Sequence, residues 1–259
     1  MKKPFVIATV AVAALLLCMA AQSCRQVSKI ISGVQKLKKV ADDNTKYLHL
    51  EFLDIPIAGG CNKFVDTLKT LGFHDAESYS DAYWLYGNYS GLPVEACVYF
   101  TPITKLASRV AVYYPDRPSW ADIESEYFRL KDSLTVLYGE PESKETFEPP
   151  FKKGDGYEMK AVEKNMCEYW SIFSVFHGGA LIGTIYLDIG KGDDPNTCEI
   201  MLLFTDTRNF QMEQKETNAA SKMVDSVQDS QDDTDSTEAS TAKDSTSTQP
   251  TESNNKPIQ

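Results

Sequence analysis

The stretch that decides the fold is MCEYWSIFSVFHGGALIGTIYLDIGKGDDPNTCEIMLLFT, residues 166–205. It contains three runs in which apolar and polar residues alternate, and Gly-Gly or an Asp/Asn-rich segment separates each run from the next. Alternation at period two is typical of a strand with one buried face, and such short connections join antiparallel neighbours. The stretch therefore predicts a three-stranded antiparallel meander.

A similar order of elements precedes this meander. A helix with one apolar face is predicted between Gly60 and Gly72, and three strand-like runs follow it within residues 82–114. A second helix, predicted over residues 120–137, leads into the meander. We therefore predict an α+β domain over residues 46–210, an antiparallel sheet built from two tandem α-β-β-β units with the helices packed on one face.

Several short motifs run through this predicted domain. They are Phe52-Leu53-Asp54-Ile55-Pro56-Ile57, Phe64-Val65-Asp66-Thr67-Leu68, Tyr113-Tyr114-Pro115 with Trp120, Tyr127-Phe128-Arg129-Leu130-Lys131 and Leu137-Tyr138-Gly139-Glu140-Pro141. In these motifs the chain resembles a group of uncharacterised secreted and lipid-anchored bacterial envelope proteins over most of residues 48–206. That resemblance implies an envelope location and no assigned activity. The predicted sheet also resembles modules typified by the β-lactamase inhibitor protein, a similarity of fold alone.

Residues 1–23 have the layout of a secretory signal peptide. Lys2 and Lys3 are followed by an apolar run that ends at Ala21 and is too short for a comfortable bilayer span. Ala21-Gln22-Ser23-Cys24 then resembles a bacterial lipobox, in which a small residue precedes the cysteine that is acylated. We expect Cys24 to be lipidated and to become the mature N-terminus. The alternative is simple cleavage, which would give a soluble periplasmic or secreted protein.

Residues 24–45 combine the anchor with a basic amphipathic helix and a linker. From Arg25 to Val40 the apolar residues recur at three and four, and every charged residue is Lys or Arg. Such a helix lies on an anionic bilayer, or its apolar stripe docks on the folded domain or on a second copy. Because a single acyl chain holds a protein weakly, a basic face would add membrane affinity.

Residues 211–259 are predicted to be disordered. They contain no aromatic residue, and 15 of them are Ser or Thr. A segment of this composition buries too little apolar surface to offset the entropy of ordering its backbone. It is either an inert solvated tail or a modified one, since its Asp-Ser-Val and Asp-Ser-Thr triplets resemble bacterial O-glycosylation acceptors.

The acidic balance of the chain argues against nucleic acid as a partner. The chain carries 37 Asp and Glu against 26 Lys and Arg, for a net charge of -11, whereas a nucleic-acid binder needs a basic face. The expected partners are the membrane, through the N-terminal lipid, and an unknown protein or glycan.

Four cysteines lie in the predicted domain. An even number of cysteines in an exported chain indicates disulfides, with three pairings open. The candidates are Cys61, Cys97, Cys167 and Cys198. In the predicted meander Cys167 and Cys198 are level but two strands apart, about 9.5 Å, which is too far for a bridge. The alternative is that the cysteines are buried as small apolar side chains.

The chain carries no recognised catalytic, cofactor-binding or metal-binding motif. It has no nucleophile elbow, zinc-protease motif, phosphate loop or Cys-x-x-Cys. His49, His74 and His177 are isolated and predicted to be exposed, and Asp116 and Asp206 are predicted to be turn formers. We therefore predict no catalytic residue, no cofactor and no metal, and leave open whether the protein is an enzyme.

Two classes of function remain. The first is a non-enzymatic module that binds a macromolecule through the exposed sheet face, with aromatic contacts from Tyr83, Tyr99, Tyr113, Trp170 and Tyr186. For each of these side chains the alternative is a place in the core under the helices. The second class is an envelope hydrolase or glycan-acting enzyme that uses acidic residues between the two halves. A flat aromatic face would favour binding, and a concave pocket with facing carboxylates would favour hydrolysis.

The lipid anchor is tested by intact mass spectrometry of the mature protein from its native envelope. We expect a chain that begins at Cys24 and carries acyl groups, and a Cys24→Ala variant that lacks them and is recovered in the soluble fraction. Cys18→Ala changes the other cysteine of the N-terminal segment and should leave the acylated mass unchanged. A wild-type chain of unmodified mass would contradict the anchor.

Overall fold

The structure is a computed structural model that describes residues 35–37, 39–78 and 82–232, with side chains described for residues 35–37, 39–76 and 82–221. The predicted signal peptide, Cys24 and the end of the tail lie outside these residues. Within the described part of the chain, no helix is both long and apolar enough to cross a membrane. The chain divides into two compact units, the first ending at Asn218 and the second beginning at Ala219.

Eight strands in the described residues form one antiparallel sheet. They are β3 (His74–Ser78), β4 (Ala82–Tyr89), β5 (Leu92–Phe100), β6 (Ala107–Tyr113), β7 (Glu142–Phe147), β8 (Cys167–His177), β9 (Ala180–Lys191) and β10 (Cys198–Asp206). Their spatial order is β3-β4-β5-β6-β10-β9-β8-β7, so neighbours in sequence are neighbours in space except at the centre, where β6 pairs with β10. A separate hairpin consists of two antiparallel strands of two residues each, β1 (Glu51–Phe52) and β2 (Ile55–Pro56).

Five helices accompany the sheet in the described residues. They are α1 (residues 35–37 and 39–44), α2 (Cys61–Thr70), α3 (Trp120–Tyr138), α4 (Glu158–Glu163) and α5 (Thr207–Asp232). α3 ends before Gly139, whose φ of 87° lies in the left-handed region that glycine adopts most readily. α1 continues through residues 41–44, which the sequence indicated as part of a linker.

The sheet has one helix-covered face and one open face. Apolar side chains of α2, α3 and α4 share a single core with alternate residues of β4, β5, β6, β8, β9 and β10. The helices contribute residues such as Phe64, Leu68, Ile123, Tyr127 and Val162 to this core. The strand residues between the core positions point to the other face, which we call the open face. The predicted α+β class with a large antiparallel sheet is therefore confirmed.

Each edge of the sheet carries a strand that the sequence did not predict. β3 reads HDAES and β7 reads ESKETF, and each pairs with one neighbour only. Edge strands favour polar and charged side chains, because these discourage pairing with other chains. Such strands lack the apolar alternation that indicates a strand. The acidic run from Glu140 to Glu148 contains β7 for this reason without showing a strand pattern.

The folded domain extends beyond the predicted boundary at residue 210. α5 begins at Thr207, so the prediction that disorder begins at residue 211 is wrong. Glu216 accepts hydrogen bonds from the Ile103 and Thr104 N–H groups, at 2.7 and 3.0 Å. Glu213 forms an ion pair with Arg109, with 2.6 Å between Oε1 and Nη2. These carboxylates hold the first turns of α5 against β6 and the β5–β6 connection, which the polar composition of this segment did not indicate.

A buried polar network joins the two ends of the domain. The His49 ring lies between the Asp206 carboxylate, 3.0 Å from Nδ1, and the Asn44 carbonyl, 2.9 Å from Nε2. Asp206 also accepts the N–H groups of Leu50 and Asn209. The His49 and Asp206 side chains have no exposed surface. The predictions that His49 is exposed and that Asp206 is a simple turn former are therefore wrong.

The network favours a protonated His49. Burial lowers the pKa of His49, but the hydrogen bonds with Asp206 and with the Asn44 carbonyl outweigh burial, and the net result is a raised pKa. A histidine whose pKa rises on folding stabilises the fold below its unfolded pKa. This contribution is lost as the pH rises through the folded pKa, which lies above the ordinary value of 6.5. The network is therefore strongest in mildly acidic solution.

Removal of the Asp206 carboxylate tests the network. We expect Asp206→Ala to lower the free energy of unfolding by about 3 kcal/mol, because His49 and two backbone N–H groups lose a buried acceptor. Urea unfolding followed by circular dichroism measures the change. Asp43→Ala removes an exposed carboxylate paired with Lys46 and should leave the midpoint unchanged. Equal midpoints for wild type and Asp206→Ala would show that the network does not stabilise the fold.

Candidate functional site

Four of the five aromatic residues selected from the sequence lie on the open face. Tyr99 and Tyr113 pack around the small buried residues of this face, which are Ala82, Cys97 and Ala111. Trp170 and Tyr186 alternate with core residues of β8 and β9 and so point to the same side. All four side chains are half-buried. The structure thus brings residues from both halves of the sheet to one surface.

Tyr83 lies on the helix-covered face instead. Its ring packs 5.6 Å from that of Phe100, and its hydroxyl donates a hydrogen bond of 2.7 Å to Asn62 of α2. Because consecutive strand residues point to opposite faces, Trp84 is the residue that reaches the open face. Tyr83 is therefore not part of the aromatic surface, and Trp84 takes its place. The alternation within Ala82–Tyr89 was the signal that could have identified Trp84.

One row of side chains crosses the open face through seven strands. The strand register places these residues level with one another, and we call them the central row: Tyr86, Glu95, Tyr113, Met201, Asp188, Trp170 and Lys144. Aromatic residues from the next row flank it on both halves of the sheet. Trp84 stacks on Tyr113 with ring centroids 5.5 Å apart, and Tyr186 lies 6.5 Å from Trp170.

The first turns of α5 close one end of the open face. The Arg109 guanidinium lies over the rings of Tyr99 and Phe210, at 4.5 and 5.1 Å from their centroids. The same guanidinium donates hydrogen bonds from Nη2 and Nε to the Glu213 carboxylate. One side of the Tyr99 ring is therefore covered by an arginine of this chain, and that side is not available to a partner.

A cleft of about 570 Å³ opens at the other end of the open face. Its walls come from β4, β5, β6, β10 and the loop that precedes β10. Five of its lining residues are acidic, and none is Lys or Arg. The lining residues are Trp84, Tyr86, Gly87, Pro93, Val94, Glu95, Tyr113, Tyr114, Pro115, Asp116, Asp193, Asp194 and Glu199. The cleft thus joins the aromatic surface to a concentration of negative charge.

Asp116 fastens the loop that forms one wall of the cleft. Its carboxylate accepts hydrogen bonds from the Thr197 hydroxyl and from the Asp194 N–H, the latter at 3.0 Å. A side chain on Gly192 would collide with Asp116 and Thr197, so glycine is required where the loop passes this carboxylate. Asp116 is therefore more than a turn former, because it holds Asp193 and Asp194 at the rim of the cleft.

Two carboxyl groups in or beside the cleft have raised pKa values. Burial raises the pKa of Glu199 to about 7, and the negative charges of Asp193, Asp116 and Glu95 add to the effect. Burial raises the pKa of Asp188, in the central row, to about 6. Among the described residues, no Lys or Arg forms an ion pair with Glu95 or Glu199. This arrangement can attract a cation, or it can hold a proton near neutral pH.

No disulfide joins the four cysteines of the domain, all of which the structure describes. Cys61 and Cys97 belong to opposite faces of the sheet. Cys198 pairs with Lys191 of β9, so β9 separates it from Cys167 of β8, as the register argument predicted. Burial raises the pKa of the Cys61, Cys167 and Cys198 thiols to about 12, which leaves them protonated and poorly nucleophilic.

The remaining candidates for chemistry lie apart from the cleft. His74 and His177 are exposed, as predicted, and neither lines the cleft. In the part of the chain that the structure describes, no three His, Cys, Asp or Glu side chains are grouped so that they could hold a metal ion.

Comparisons with protein-family models, curated proteins and solved structures find no match to this chain. The open face and its cleft are therefore the features from which we infer a function.

The electrostatics of the cleft are tested by the titration of Glu199. Carbon-13 NMR of the side-chain carboxyl, assigned with Glu199→Gln, should give a midpoint near 7. Asp193→Asn removes the negative charge that raises this pKa most and should shift the midpoint downward. Asp132→Asn, on the exposed side of α3, should leave it unchanged. A midpoint at the ordinary glutamate value in the wild type would show that Glu199 is solvated rather than buried.

Proposed function

We propose that this protein is an exported, lipid-anchored envelope protein that binds another macromolecule through its open face. The observation that carries the proposal is the contrast between the two faces of the sheet. Helices cover one face, whereas Trp84, Tyr113, Trp170 and Tyr186 remain half-exposed on the other. Tryptophan and tyrosine in such positions supply much of the binding energy at protein interfaces.

The attachment to the membrane is proposed to run through an acylated Cys24 and the basic segment that follows it. Lys36 and Lys39, on the described part of α1, are exposed and are therefore available to an anionic surface. The alternative is a soluble periplasmic or secreted protein that presents the same open face. Both versions keep the binding function in the envelope or outside the cell.

We further propose that the sheet consists of two tandem units, each a helix followed by antiparallel strands. The register of the central ladder supports this proposal. Tyr113 pairs with Met201, and Leu203 pairs with Ala111. Val112 pairs with Leu202 between them, so the similar segments Val112-Tyr113-Tyr114 and Leu202-Leu203-Phe204 start from the same pair, as expected for two related units.

The strands next to the edges support the same proposal. Tyr83-Trp84 in β4 and Tyr169-Trp170 in β8 both direct the tyrosine into the core and the tryptophan onto the open face. Each unit would thus contribute one tryptophan to the binding surface. We propose, in addition, kinship to the uncharacterised secreted and lipid-anchored group and a fold similar to that of the β-lactamase inhibitor protein.

A second candidate function is hydrolysis of a glycan in the cleft. The raised pKa of Glu199, about 7, favours it, since a carboxylic acid that is still protonated near neutral pH can donate its proton to a glycosidic oxygen. Glu95 lines the same cleft and could activate the attacking water, whose atoms add across the broken bond. If the cleft hydrolyses a glycan, we expect the wild type to release reducing ends from envelope glycan and the Glu199→Gln variant to release none.

The binding function is tested with a photoreactive benzoylphenylalanine in place of Tyr186, in cells that make the full chain. We expect adducts whose yield falls about tenfold when Trp170→Ala is added, because the two rings are neighbours on one surface. Val136→Ala truncates an apolar residue of α3 that is 86 % exposed, and it is the matched control that should leave the yield unchanged.

Two results would contradict the binding function. One is an adduct yield from Tyr186 that Trp170→Ala does not change, although circular dichroism shows both variants folded. The other is an equal yield from a probe placed at Val136, since this result would indicate random collision rather than a surface built for binding.

A further inference from the structure

The cleft at the end of the open face is complementary to an organic cation. We propose that it binds a lysine or arginine side chain of a basic polypeptide, with the ring of Trp84 or Tyr113 under the cation and Glu95 and Glu199 beside it. The inference rests on the proposed binding function and deepens it, because it states the chemistry of the partner.

No Lys or Arg lines the cleft, and none in the described part of the chain forms an ion pair with Glu95 or Glu199. Three half-buried carboxylates elsewhere on the domain each have a basic partner: Glu213 with Arg109, Glu145 with Lys131 and Glu126 with Arg129. In contrast, no cation lines the cleft, which holds five acidic residues. A ligand that carries positive charge would therefore supply the missing partner and relieve the mutual repulsion of these groups.

The aromatic lining selects the kind of cation. Trp84 and Tyr113 stack with an interplanar angle of 21°, and Tyr86 beside them is 52 % exposed. A lysine or arginine head within about 6 Å of such a ring centroid is attracted by the π face, while its alkyl stem packs on the ring. The chain uses the same contact internally, since Arg208 lies 3.4 Å from the centroid of Tyr47.

A bare metal ion fits this cleft less well than a side chain does. Calcium requires six or more oxygen ligands that converge at short distance. No group of three His, Cys, Asp or Glu side chains in the described residues has such an arrangement. The carboxylates instead line a cleft that also contains aromatic rings, which is the pattern expected for a cation carried on an apolar stem.

The surroundings of the cleft favour a polypeptide over a free amine. The central row leaves the cleft at Tyr86, Glu95 and Tyr113 and continues across the sheet to Trp170. A chain that places one basic side chain in the cleft can therefore extend along the open face. Residues 46–210 carry 25 acidic and 15 basic residues, so the domain also attracts a basic partner from a distance.

The ionisation of Glu199 makes this binding depend on pH. The charged groups that face Glu199 are Asp193 of the loop, Asp116 after β6, Glu95 of β5 and Asp188 of β9, and all are acidic. A bound cation favours the ionised form of Glu199. Affinity should therefore rise between about pH 6 and about pH 8, and a Glu199→Gln variant should lose this dependence.

The test is a fluorescence and calorimetric titration of the mature full chain with capped trilysine and triarginine peptides. Capped trinorleucine, which keeps the alkyl stems and lacks the charge, is the control ligand. We expect both basic peptides to bind and trinorleucine not to bind. Glu95→Gln/Glu199→Gln should weaken binding about tenfold, whereas Asp132→Asn/Glu163→Gln, with the same change in net charge, should not.

Each outcome of this titration decides the inference. Failure of both basic peptides to bind the wild type, or an equal loss in the two double variants, overturns the cation site. If Tyr186 adducts still depend on Trp170 in that case, the binding function stands and only the chemistry of the partner is wrong. If neither the adducts nor the peptides are found, the proposed function and the inference fall together.

Discussion

The pairing of β6 with β10 is the contact on which the rest of the structure depends. Residues 109–113 run antiparallel to residues 201–205, and this ladder alone joins two groups of four strands into one sheet. Each of these two strands presents buried apolar residues to the helix-covered core. Without the pairing, both would be apolar edge strands, which attract other chains. The open face would then separate into two halves along the line between Tyr113 of β6 and Met201 of β10, and the central row would be interrupted there.

The ends of the domain determine which parts of the open face stay accessible. The network of His49, Asp206 and Asn209 holds the start of α5 beside the N-terminal segment. From there Glu213 reaches Arg109, which covers one side of Tyr99. At the opposite end, none of the described residues that line the cleft belongs to a helix, and the loop held by Asp116 forms one of its walls. The same fold thus closes one end of the aromatic surface and opens the other to a charged ligand.

The parts of this structure that the sequence predicted are those with a strong local pattern. Regular apolar spacing is present in β5, β6, β8, β9 and β10 and in the helix α3. β3 and β7 lack such spacing because they are polar edge strands. The alternation within β4 places Trp84, and not Tyr83, on the open face. The burial of His49 and the cleft could not be predicted, because the groups that meet there are far apart in the chain. Asp206 follows His49 by more than a hundred residues, and Glu199 follows Glu95 by more than a hundred.

We propose that the open face is the surface that this protein uses for binding in its native setting. Hydroxyl-radical footprinting of intact cells, read by mass spectrometry against the purified chain, measures which side chains are covered there. We expect Trp84 and Trp170 to be oxidised several-fold less in cells than in the purified protein, whereas exposed Tyr157 beside α4 should be oxidised equally in both. Equal oxidation of Trp84 and Trp170 in the two samples would contradict it.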